Sequence, residues 1–171
     1  FTDPISPYGM SKLATSNLAI AWQKNNRHIT IARPFTVIGS NMPTHMALGN
    51  FINQINKENF KKLQVGNLET QRDFIDVRDL VDIFYKLLNS SSTAGQIYNV
   101  CSGKSVFIRD ILNYYLKKTK INIEIEVTKS LLRHNDMPIN YGSNEKLKKI
   151  LGPIKFIDWR DSINEIVKNN K

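Results

Sequence analysis

The sequence predicts an α/β protein whose strands are mainly parallel. Runs of apolar and β-branched residues, typical of strands, alternate along the chain with segments that have helical spacing. Such alternation favours helices that connect neighbouring parallel strands. Residues 28–35 (HITIARPF) also have the composition of a central strand, because strands that are buried on both faces are apolar throughout.

The first predicted element is a helix over about residues 8–25, which Ser6 and Pro7 start. Its apolar residues nearly encircle the helix axis: Met10, Leu13, Ala14, Leu18, Ala19, Ile20, Ala21 and Trp22. A helix that is apolar on most sides is usually buried on most sides. We therefore expect this helix to pack on the sheet and on a second surface.

The remaining elements follow from periodicity and capping residues. Helices are predicted at residues 46–56, 76–88, 105–118, 144–151 and 159–168, and strands at residues 62–65, 73–75, 96–101 and 123–127. Asp76 and Asp79 suit the start of the second of these helices, and Ser105 is expected to cap the third. The last strand (IEIEV) alternates polar and apolar residues, which predicts that it is exposed.

The composition is typical of a folded protein in a reducing compartment. Hydrophobic residues make up 41% of the 171 residues. No apolar run approaches the ~20 residues that span a bilayer. The single cysteine, Cys101, excludes an internal disulfide, and its apolar neighbours predict a buried thiol at a strand. The expected compartment is the cytoplasm.

A net charge of +9 makes a basic nucleic-acid-binding domain one alternative. The charge is spread along the chain, however, without an aromatic-interleaved basic stripe or zinc-finger spacing. Solvated lysine-rich helices explain the positive charge better than a nucleic-acid site does. A basic surface also attracts a diphosphate as well as it attracts a nucleic acid. The histidines (His28, His45 and His134) lack metal-ligand spacing. We therefore predict no metal site and no nucleic-acid partner.

The most informative local pattern is Tyr8-Gly9-Met10-Ser11-Lys12. On a helix, a tyrosine and a lysine four residues apart lie on the same face, one turn from each other. A free phenol has too high a pKa to be a good acid/base catalyst at neutral pH. An ammonium beside it stabilises the phenolate and so lowers the pKa of the phenol toward neutral pH. Tyr8 and Lys12 are therefore candidate catalytic residues, although this spacing also arises by chance in many helices.

Three further segments follow the Tyr-Lys pair in a fixed order: residues 32–39 (ARPFTVIG), 65–79 (VGNLETQRDFIDVRD) and 133–138 (RHNDMP). With them, the chain resembles the extended short-chain dehydrogenase/reductases, which include nucleotide-sugar epimerases, dehydratases and reductases. The resemblance runs from about Pro4 to the end of the chain. Within the family, GNLETQRDFIDVRDL and IYNVCSGKS are most similar to the GDP-6-deoxy-4-keto-mannose reductase branch.

The resemblance implies the C-terminal portion of a doubly wound Rossmann-type parallel sheet plus a small α/β substrate-binding lobe. The Rossmann part would take mainly residues 1–40 and 73–102, and the lobe mainly residues 41–72 and 103–171. Family members have a G-x-x-G-x-x-G turn and a Ser or Thr ahead of the tyrosine, and this sequence contains neither. It is therefore expected to be the C-terminal part of an enzyme, with one unpaired edge on its central strand.

By resemblance, Tyr8 would donate a proton to a sugar keto oxygen, while Lys12 would assist it and bind the nicotinamide ribose. On this basis Tyr8 and Lys12 are cofactor-binding candidates, and so are Pro34, Phe35 and Val37, whose backbone would border the nicotinamide. Thr36 is a substrate-binding candidate, at a position where many relatives have an Asn. For Phe51 and Gln54, a role in the substrate lobe and an ordinary place on an amphipathic helix are both open.

Arg72 and Arg133 are implied as a clamp for the substrate diphosphate. The planar guanidinium fork suits this task, because it binds phosphate oxygens with two parallel hydrogen bonds. Asp136 is implied to accept a hydrogen bond from the ribose or base of the nucleotide. The chain departs from the family at His134, where relatives usually have a proline.

The function implied is NAD- or NADP-dependent reduction of the C4 keto group of a GDP-4-keto-6-deoxyhexose, with the fragment inactive by itself. Two alternatives stay open: a nucleotide-sugar epimerase or 4,6-dehydratase of the same family, and a non-catalytic sugar-nucleotide-binding or oligomerisation fragment. Family members commonly dimerise by pairing the helix that carries the Tyr-Lys pair, and the next helix, with their two-fold mates in a four-helix bundle. Met10, Leu13, Asn17 and Ala21 are therefore expected at a homodimer interface.

Overall fold

The computed structural model describes residues 3–24, 28–57, 60–132 and 136–170. Its helices are α1 (Pro7–Gln23), α2 (Ala47–Ile55), α3 (Val77–Leu88), α4 (Ile108–Thr119), α5 (Glu145–Leu151) and α6 (Trp159–Asn169). Its strands are β1 (Ile31–Pro34), β2 (Thr36–Ile38), β3 (Lys62–Val65), β4 (Gln71–Asp76), β5 (Ile97–Val100), β6 (Ser105–Phe107), β7 (Glu124–Val127) and β8 (Ile139–Asn140). Every predicted helix and strand has a counterpart, and β2, β6 and β8 are additional.

The strands of the described residues form three small sheets, of which the largest is built around β4. β1 pairs with β5 in parallel, and β3 pairs with β7 in parallel. The second half of β4 pairs with parallel β2, and its first half with antiparallel β6 and parallel β8. β4 carries Arg72 near its start and Asp76 at its end. The predicted parallel pairing therefore holds for most strand pairs, with β6 as the exception.

The strand predicted at residues 28–35 is shorter than expected and is followed at once by a second strand. β1 ends at Pro34, and the N–H of Phe35 still donates to the carbonyl of Val100 at the end of β5 (3.0 Å). From Thr36 onward the chain pairs with β4 instead. The change occurs beside a proline, which has no N–H to contribute to a sheet. Within the described ranges, β1 has only β5 as a partner strand, so its other edge is unpaired, as predicted.

The start of α4 corrects another prediction. Ser105 does not cap this helix, because it begins β6 and its hydroxyl donates to the side-chain carbonyl of Gln71 (2.8 Å). α4 begins three residues later, after Phe107, whose side chain makes no capping hydrogen bond. The Ser-Val-Phe run contains a β-branched and an aromatic residue, which favour extension against an existing strand.

The buried side chains form two apolar clusters. The larger cluster includes Ile38, Leu48, Phe51, Leu63, Val65, Phe74, Ile108, Ile111, Leu112, Tyr115, Ile163 and Ile166. The smaller consists of Ile75, Ile83, Leu87, Tyr98, Val100 and Leu147. Cys101 is fully buried directly after β5, which confirms the predicted buried thiol. Burial, assisted by the charge of Asp73, raises the pKa of Cys101 to about 11, so the thiol is unsuited to act as a nucleophile.

α1 packs differently from the prediction. None of its residues is buried, and Met10, Leu18 and Trp22 are 59%, 64% and 59% exposed. The expectation that this helix is buried on most sides is therefore wrong for the described residues. The face that α1 turns toward β1 lines a cavity, and Met10, Leu18 and Trp22 lie outside its lining. Neither α1 nor another helix among the described residues has the length and apolar character needed to cross a membrane.

Candidate active site

Two cavities flank the break between β1 and β2. The first, which we call the α1 cavity, has a volume of about 730 Å³ and is lined by residues of α1 and β1, including Tyr8, Lys12 and Pro34. The second, which we call the β3 cavity, has a volume of about 420 Å³ and includes Thr36 and Arg72 in its wall. Pro34 and Thr36 are separated by one residue, so each cavity reaches this segment of the chain. Ligands of parallel α/β sheets bind at such carboxyl ends of strands.

Tyr8 and Lys12 lie on one face of the first turns of α1, as their spacing predicts. Ser6 caps the helix, since its hydroxyl accepts a hydrogen bond from the N–H of Gly9 (3.1 Å), and Pro7 occupies the first turn. The Lys12 ammonium lies 5.3 Å from the centre of the Tyr8 ring. Tyr8 is 72% exposed, so its hydroxyl is accessible from solvent. Both side chains line the α1 cavity, next to Pro34.

The four predicted site residues at the break have different surroundings. Pro34 lines the α1 cavity and Thr36 lines the β3 cavity. The Phe35 ring lies so close to Gly142 that a Cβ atom at position 142 would collide with it. Val37 packs against the smaller apolar cluster. Pro34 and Thr36 are therefore accessible to ligands, whereas the side chains of Phe35 and Val37 serve packing.

Arg72 and Asp136 are brought together in the wall of the β3 cavity. Nη2 of Arg72 donates to Oδ1 of Asp136 (2.6 Å), while Nη1 donates to the carbonyls of Met137 (2.8 Å) and Gln71 (2.7 Å). The structure thus places two of the three predicted nucleotide-binding residues in direct contact. The third, Arg133, lies outside the described residues, as does His134, and its part in a clamp stays a prediction.

Sequence reasoning left Gln54 undecided and did not single out Asn50 or Gln64. Asn50 and Gln64 line the β3 cavity, and Gln54 lies one turn after Asn50 on α2, with hydrogen bonds to both. The spacing of Asn50 and Gln54 along the sequence was the signal that could have identified them. Two amide side chains at i and i+4 occupy the helix face that also carries the buried Phe51, and polar groups on a packed face need partners.

A second polar network connects the end of β4 with α6. Asp76 is buried and caps α3 by accepting from the N–H of Arg78 (2.9 Å), whose guanidinium also donates to both of its oxygens. The hydroxyl of Ser162 donates to the same carboxylate (2.6 Å). Burial alone would raise the pKa of Asp76, and the hydrogen bonds from Arg78 and Ser162 outweigh it, so the pKa is lowered. This network holds the fold and lines neither cavity.

The donors of the α1 cavity suit one end of a nicotinamide cofactor. The Lys12 ammonium and the Tyr8 hydroxyl are donors on the cavity wall and match the hydroxyl oxygens of a ribose. The volume of about 730 Å³ is also within the range of small-molecule sites. No glycine-rich turn that could hold the pyrophosphate occurs in the sequence. The residues present therefore fit the nicotinamide and its ribose only.

Solved structures of known proteins superimpose closely on this chain. RMD from Pseudomonas aeruginosa complexed with NADPH has a TM-score of 0.86 and 27% identity, over 98% of this chain and 57% of its own. UDP-glucuronic acid 4-epimerase from Bacillus cereus, in complex with UDP-glucuronic acid and NAD, has a TM-score of 0.86 at 23% identity, over 99% and 55%. The second likeness shows the fold alone. Together they confirm the predicted Rossmann-type α/β fold.

Sequence comparison identifies the same group of proteins. The GDP-6-deoxy-D-mannose reductase of Pseudomonas aeruginosa and the GDP-6-deoxy-D-talose 4-dehydrogenase of Aggregatibacter actinomycetemcomitans are each 29% identical over 97% of this chain. The chain spans 56% of the length of either relative. A family model described as the NAD dependent epimerase/dehydratase family matches residues 1–101. Since this match covers more than half of the 171 residues, the chain belongs to the NAD dependent epimerase/dehydratase family.

Proposed function

We propose that this chain supplies the proton donor and the nucleotide-sugar site of an NAD(P)-dependent reductase. Its substrate would be a GDP-4-keto-6-deoxyhexose, reduced at C4. The observation that carries the proposal is a pair of differently equipped cavities that reach the two sides of Phe35, with Tyr8 and Lys12 in one and Arg72 and Asp136 in the other. The names of the two GDP-sugar relatives support the choice of substrate.

In this proposal, each residue at the α1 cavity has one task. When bound, the nicotinamide cofactor supplies the hydride. Tyr8 donates its phenolic proton to the C4 keto oxygen as that oxygen gains negative charge. The Lys12 ammonium stabilises the resulting phenolate and donates to the nicotinamide ribose. Because Tyr8 is largely exposed, solvent can return the proton.

The β3 cavity would hold the rest of the substrate. The guanidinium of Arg72 provides a charged fork for the diphosphate, with Arg133 as its proposed second member. Asp136 would accept a hydrogen bond from a ribose hydroxyl or the base. Thr36, at the border between the cavities, offers its hydroxyl to the hexose. Residues of the proposed Rossmann part line the α1 cavity, and residues of the proposed substrate lobe make up most of the lining of the β3 cavity.

Three further proposals concern the surroundings of the enzyme. The apolar residues exposed on α1, which include Met10, form a homodimer interface. The enzyme acts in the cytoplasm, with no nucleic-acid partner.

This chain alone neither binds NAD(P) tightly nor turns over substrate, because adenine and pyrophosphate contacts are missing. Calorimetry against both cofactors tests the last point, and a micromolar dissociation constant would contradict it.

A nucleotide-sugar epimerase or 4,6-dehydratase is the second candidate, and the match to the NAD dependent epimerase/dehydratase family model favours it. Product analysis separates the candidates. The enzyme that contains this chain is incubated with GDP-4-keto-6-deoxymannose and NADPH, and in a separate reaction with an NDP-hexose and NAD. The absorbance of NADPH and the nuclear magnetic resonance spectrum of the sugar are followed in both. A reductase consumes one NADPH for each C4 alcohol formed. An epimerase or dehydratase acts on an NDP-hexose without net NADPH consumption, and a purely binding fragment forms no product.

A further inference from the structure

The side-chain amide of Gln54 pairs with the outer edge of β3. Its Oε1 accepts from the N–H of Gln64 (3.0 Å), and its Nε2 donates to the carbonyl of the same residue (2.8 Å). One amide thus satisfies both backbone groups of one strand residue, as a neighbouring strand would. β7 occupies the other edge of β3.

These two hydrogen bonds determine the orientation of a second amide. A backbone N–H requires an acceptor and a carbonyl requires a donor, so Oε1 and Nε2 of Gln54 cannot exchange places. The remaining N–H of Nε2 points to Asn50, one turn earlier on α2, where Oδ1 accepts it. The Oδ1 of Asn50 is thereby committed to Gln54, and its Nδ2 must point elsewhere.

The Nδ2 group of Asn50 is available to a ligand. Asn50 is half-buried and lines the β3 cavity, as Arg72 does. Among the described residues, the Asn50 side chain makes its hydrogen bond through Oδ1, which accepts from Gln54. No fully buried side-chain nitrogen or oxygen in the part of the chain that the structure describes lacks a partner, so Nδ2 is not sealed from solvent, and the cavity that Asn50 lines is open space beside it. It offers donors only, which suits an acceptor oxygen.

We propose that Asn50 is a substrate-binding residue that donates an N–H to an acceptor oxygen of the nucleotide diphosphate. We also propose that Gln54 is a positioning residue, which acts by holding the Asn50 amide with its donors toward the cavity. Both statements rest on the proposed function, because they assume that the β3 cavity binds a nucleoside diphosphate. Arg72 supplies the charge that attracts the ligand, and Asn50 supplies a neutral donor of fixed direction.

Calorimetry on the 171-residue chain, with GDP and inorganic pyrophosphate as probes, tests the role of Asn50. Asn50→Asp replaces the donors with an anion, and we expect GDP affinity to fall by roughly tenfold or more. Asn53→Asp is the matched control, because Asn53 is exposed on the same helix, and it should bind GDP within about twofold of the unaltered chain. Loss toward both probes places the acceptor on the diphosphate, and loss toward GDP alone places it on the nucleoside. Equal affinity of Asn50→Asp and the control overturns the inference.

A double-mutant cycle tests the positioning role of Gln54. Gln54→Glu keeps an acceptor for the Gln64 N–H but has no donor for Asn50. It should lower GDP affinity by roughly three- to tenfold in the unaltered background and by less than about twofold in an Asn50→Ala background. Equal losses in both backgrounds overturn the positioning role. Should Gln54→Glu not fold, Asn50→Ala leaves the Gln54–Gln64 pair intact and still decides the role of Asn50.

The same measurements separate this inference from the proposed function. If the unaltered chain binds neither probe, the β3 cavity is not a nucleotide site and both proposals fail. If the unaltered chain binds GDP and Asn50→Asp binds it equally well, only the inference about Asn50 fails. Thermal unfolding of each variant shows whether a lost affinity reflects a lost fold.

Discussion

Arg72 and Asp136, which lie 64 residues apart in the sequence, form an ion pair with 2.6 Å between Nη2 and Oδ1. Their side chains are only 17% and 18% exposed, so this pair is poorly screened by solvent. In it, a carboxylate oxygen occupies a position on the guanidinium that a phosphate oxygen would also favour. A diphosphate that binds Arg72 must therefore share the fork with Asp136 or displace it.

Arg72→Lys keeps the positive charge but removes the fork. In the enzyme that contains this chain, we expect KM for the nucleotide sugar to rise by roughly 10- to 100-fold, because charge-assisted hydrogen bonds contribute about 1.5–3 kcal/mol each. The value of kcat should change much less, since the diphosphate is bound equally in the ground and transition states. Steady-state kinetics measures both constants, and an unchanged KM would show that Arg72 does not bind the diphosphate.

Tyr8→Phe should have the opposite effect on the two constants. It removes the proposed proton donor and leaves the β3 cavity intact, so kcat should fall by roughly 10²- to 10⁴-fold with KM nearly unchanged. Tyr85→Phe is the control, because this exposed tyrosine on α3 also loses a hydroxyl. If both variants keep the kcat of the unaltered enzyme, Tyr8 is not the acid.

Asp76 and Asp79 should respond in opposite ways to replacement by Asn. Asp76→Asn breaks the contacts with Arg78 and Ser162, and we expect it to lower the free energy of unfolding by about 3 kcal/mol at pH 7. Asp79 is half-buried and accepts from the N–H of Ile157 (2.8 Å), which an Asn oxygen can also accept. Burial raises its pKa, so Asp79→Asn should be neutral or stabilise by up to about 1 kcal/mol.

The pH dependence of these variants follows from the direction of each pKa shift. The lowered pKa of Asp76 means that its stabilisation is present above the ordinary value of 3.8 and is lost as the pH falls through the folded-state pKa. The raised pKa of Asp79 means that its destabilisation is relieved as the pH falls toward 3.8. Urea unfolding at pH 7 and pH 3 should therefore show a smaller cost of Asp76→Asn at the lower pH. An equal cost at both pH values would contradict the assignment.

Gly66→Ala should narrow the β3 cavity. A Cβ atom at this position would lie 2.6 Å from the carbonyl oxygen of Leu131, which is backbone and cannot turn aside. Both residues line the β3 cavity. The 3-10 helix at Lys129–Leu131 must therefore move away from Gly66, which changes the shape of this cavity. We expect a loss of about 1–3 kcal/mol in unfolding free energy together with weaker GDP binding, measured by urea unfolding and calorimetry. An unchanged free energy of unfolding would show that the backbone around Leu131 moves to accommodate the added methyl group at little cost.

Met10→Lys should weaken self-association if α1 forms the dimer interface. The substitution places a charge within the exposed apolar surface of α1, where pairing with a two-fold mate would leave it desolvated. Leu88→Lys is the control, because Leu88 is an 84% exposed apolar residue on α3. Sedimentation equilibrium should show dimers for the unaltered chain and the control, and monomers for Met10→Lys. A monomeric unaltered chain would contradict the interface.

The elements that local pattern determines were predictable, whereas the features that depend on distant partners were not. Asp76 caps α3 as expected because its partner, the N–H of Arg78, is two residues away. Ser105 failed as a cap because β4 offers a strand to pair with, and no local pattern reports that strand. The same holds for Gln54, whose partner Gln64 belongs to another element. The family segments predicted Arg72 and Asp136 as site residues, but nothing in those segments indicates that the two side chains form an ion pair with each other.

The central place of β4 and the bare surface of α1 have a consequence for local opening of the chain. The amides of Phe74 and Ile75 lie in a buried strand that pairs with β2, and opening them requires that the sheet around β4 be disrupted. No residue of α1 is buried, so the amides near Tyr8 and Lys12 are released by fraying of a single helix. In the isolated chain, hydrogen–deuterium exchange should therefore be slowest in β4, at Phe74 and Ile75, and fastest at the start of α1. The proposed catalytic pair, Tyr8 and Lys12, would then be rigid only when α1 is covered, whereas the proposed diphosphate site beside β4 would be rigid in the chain itself.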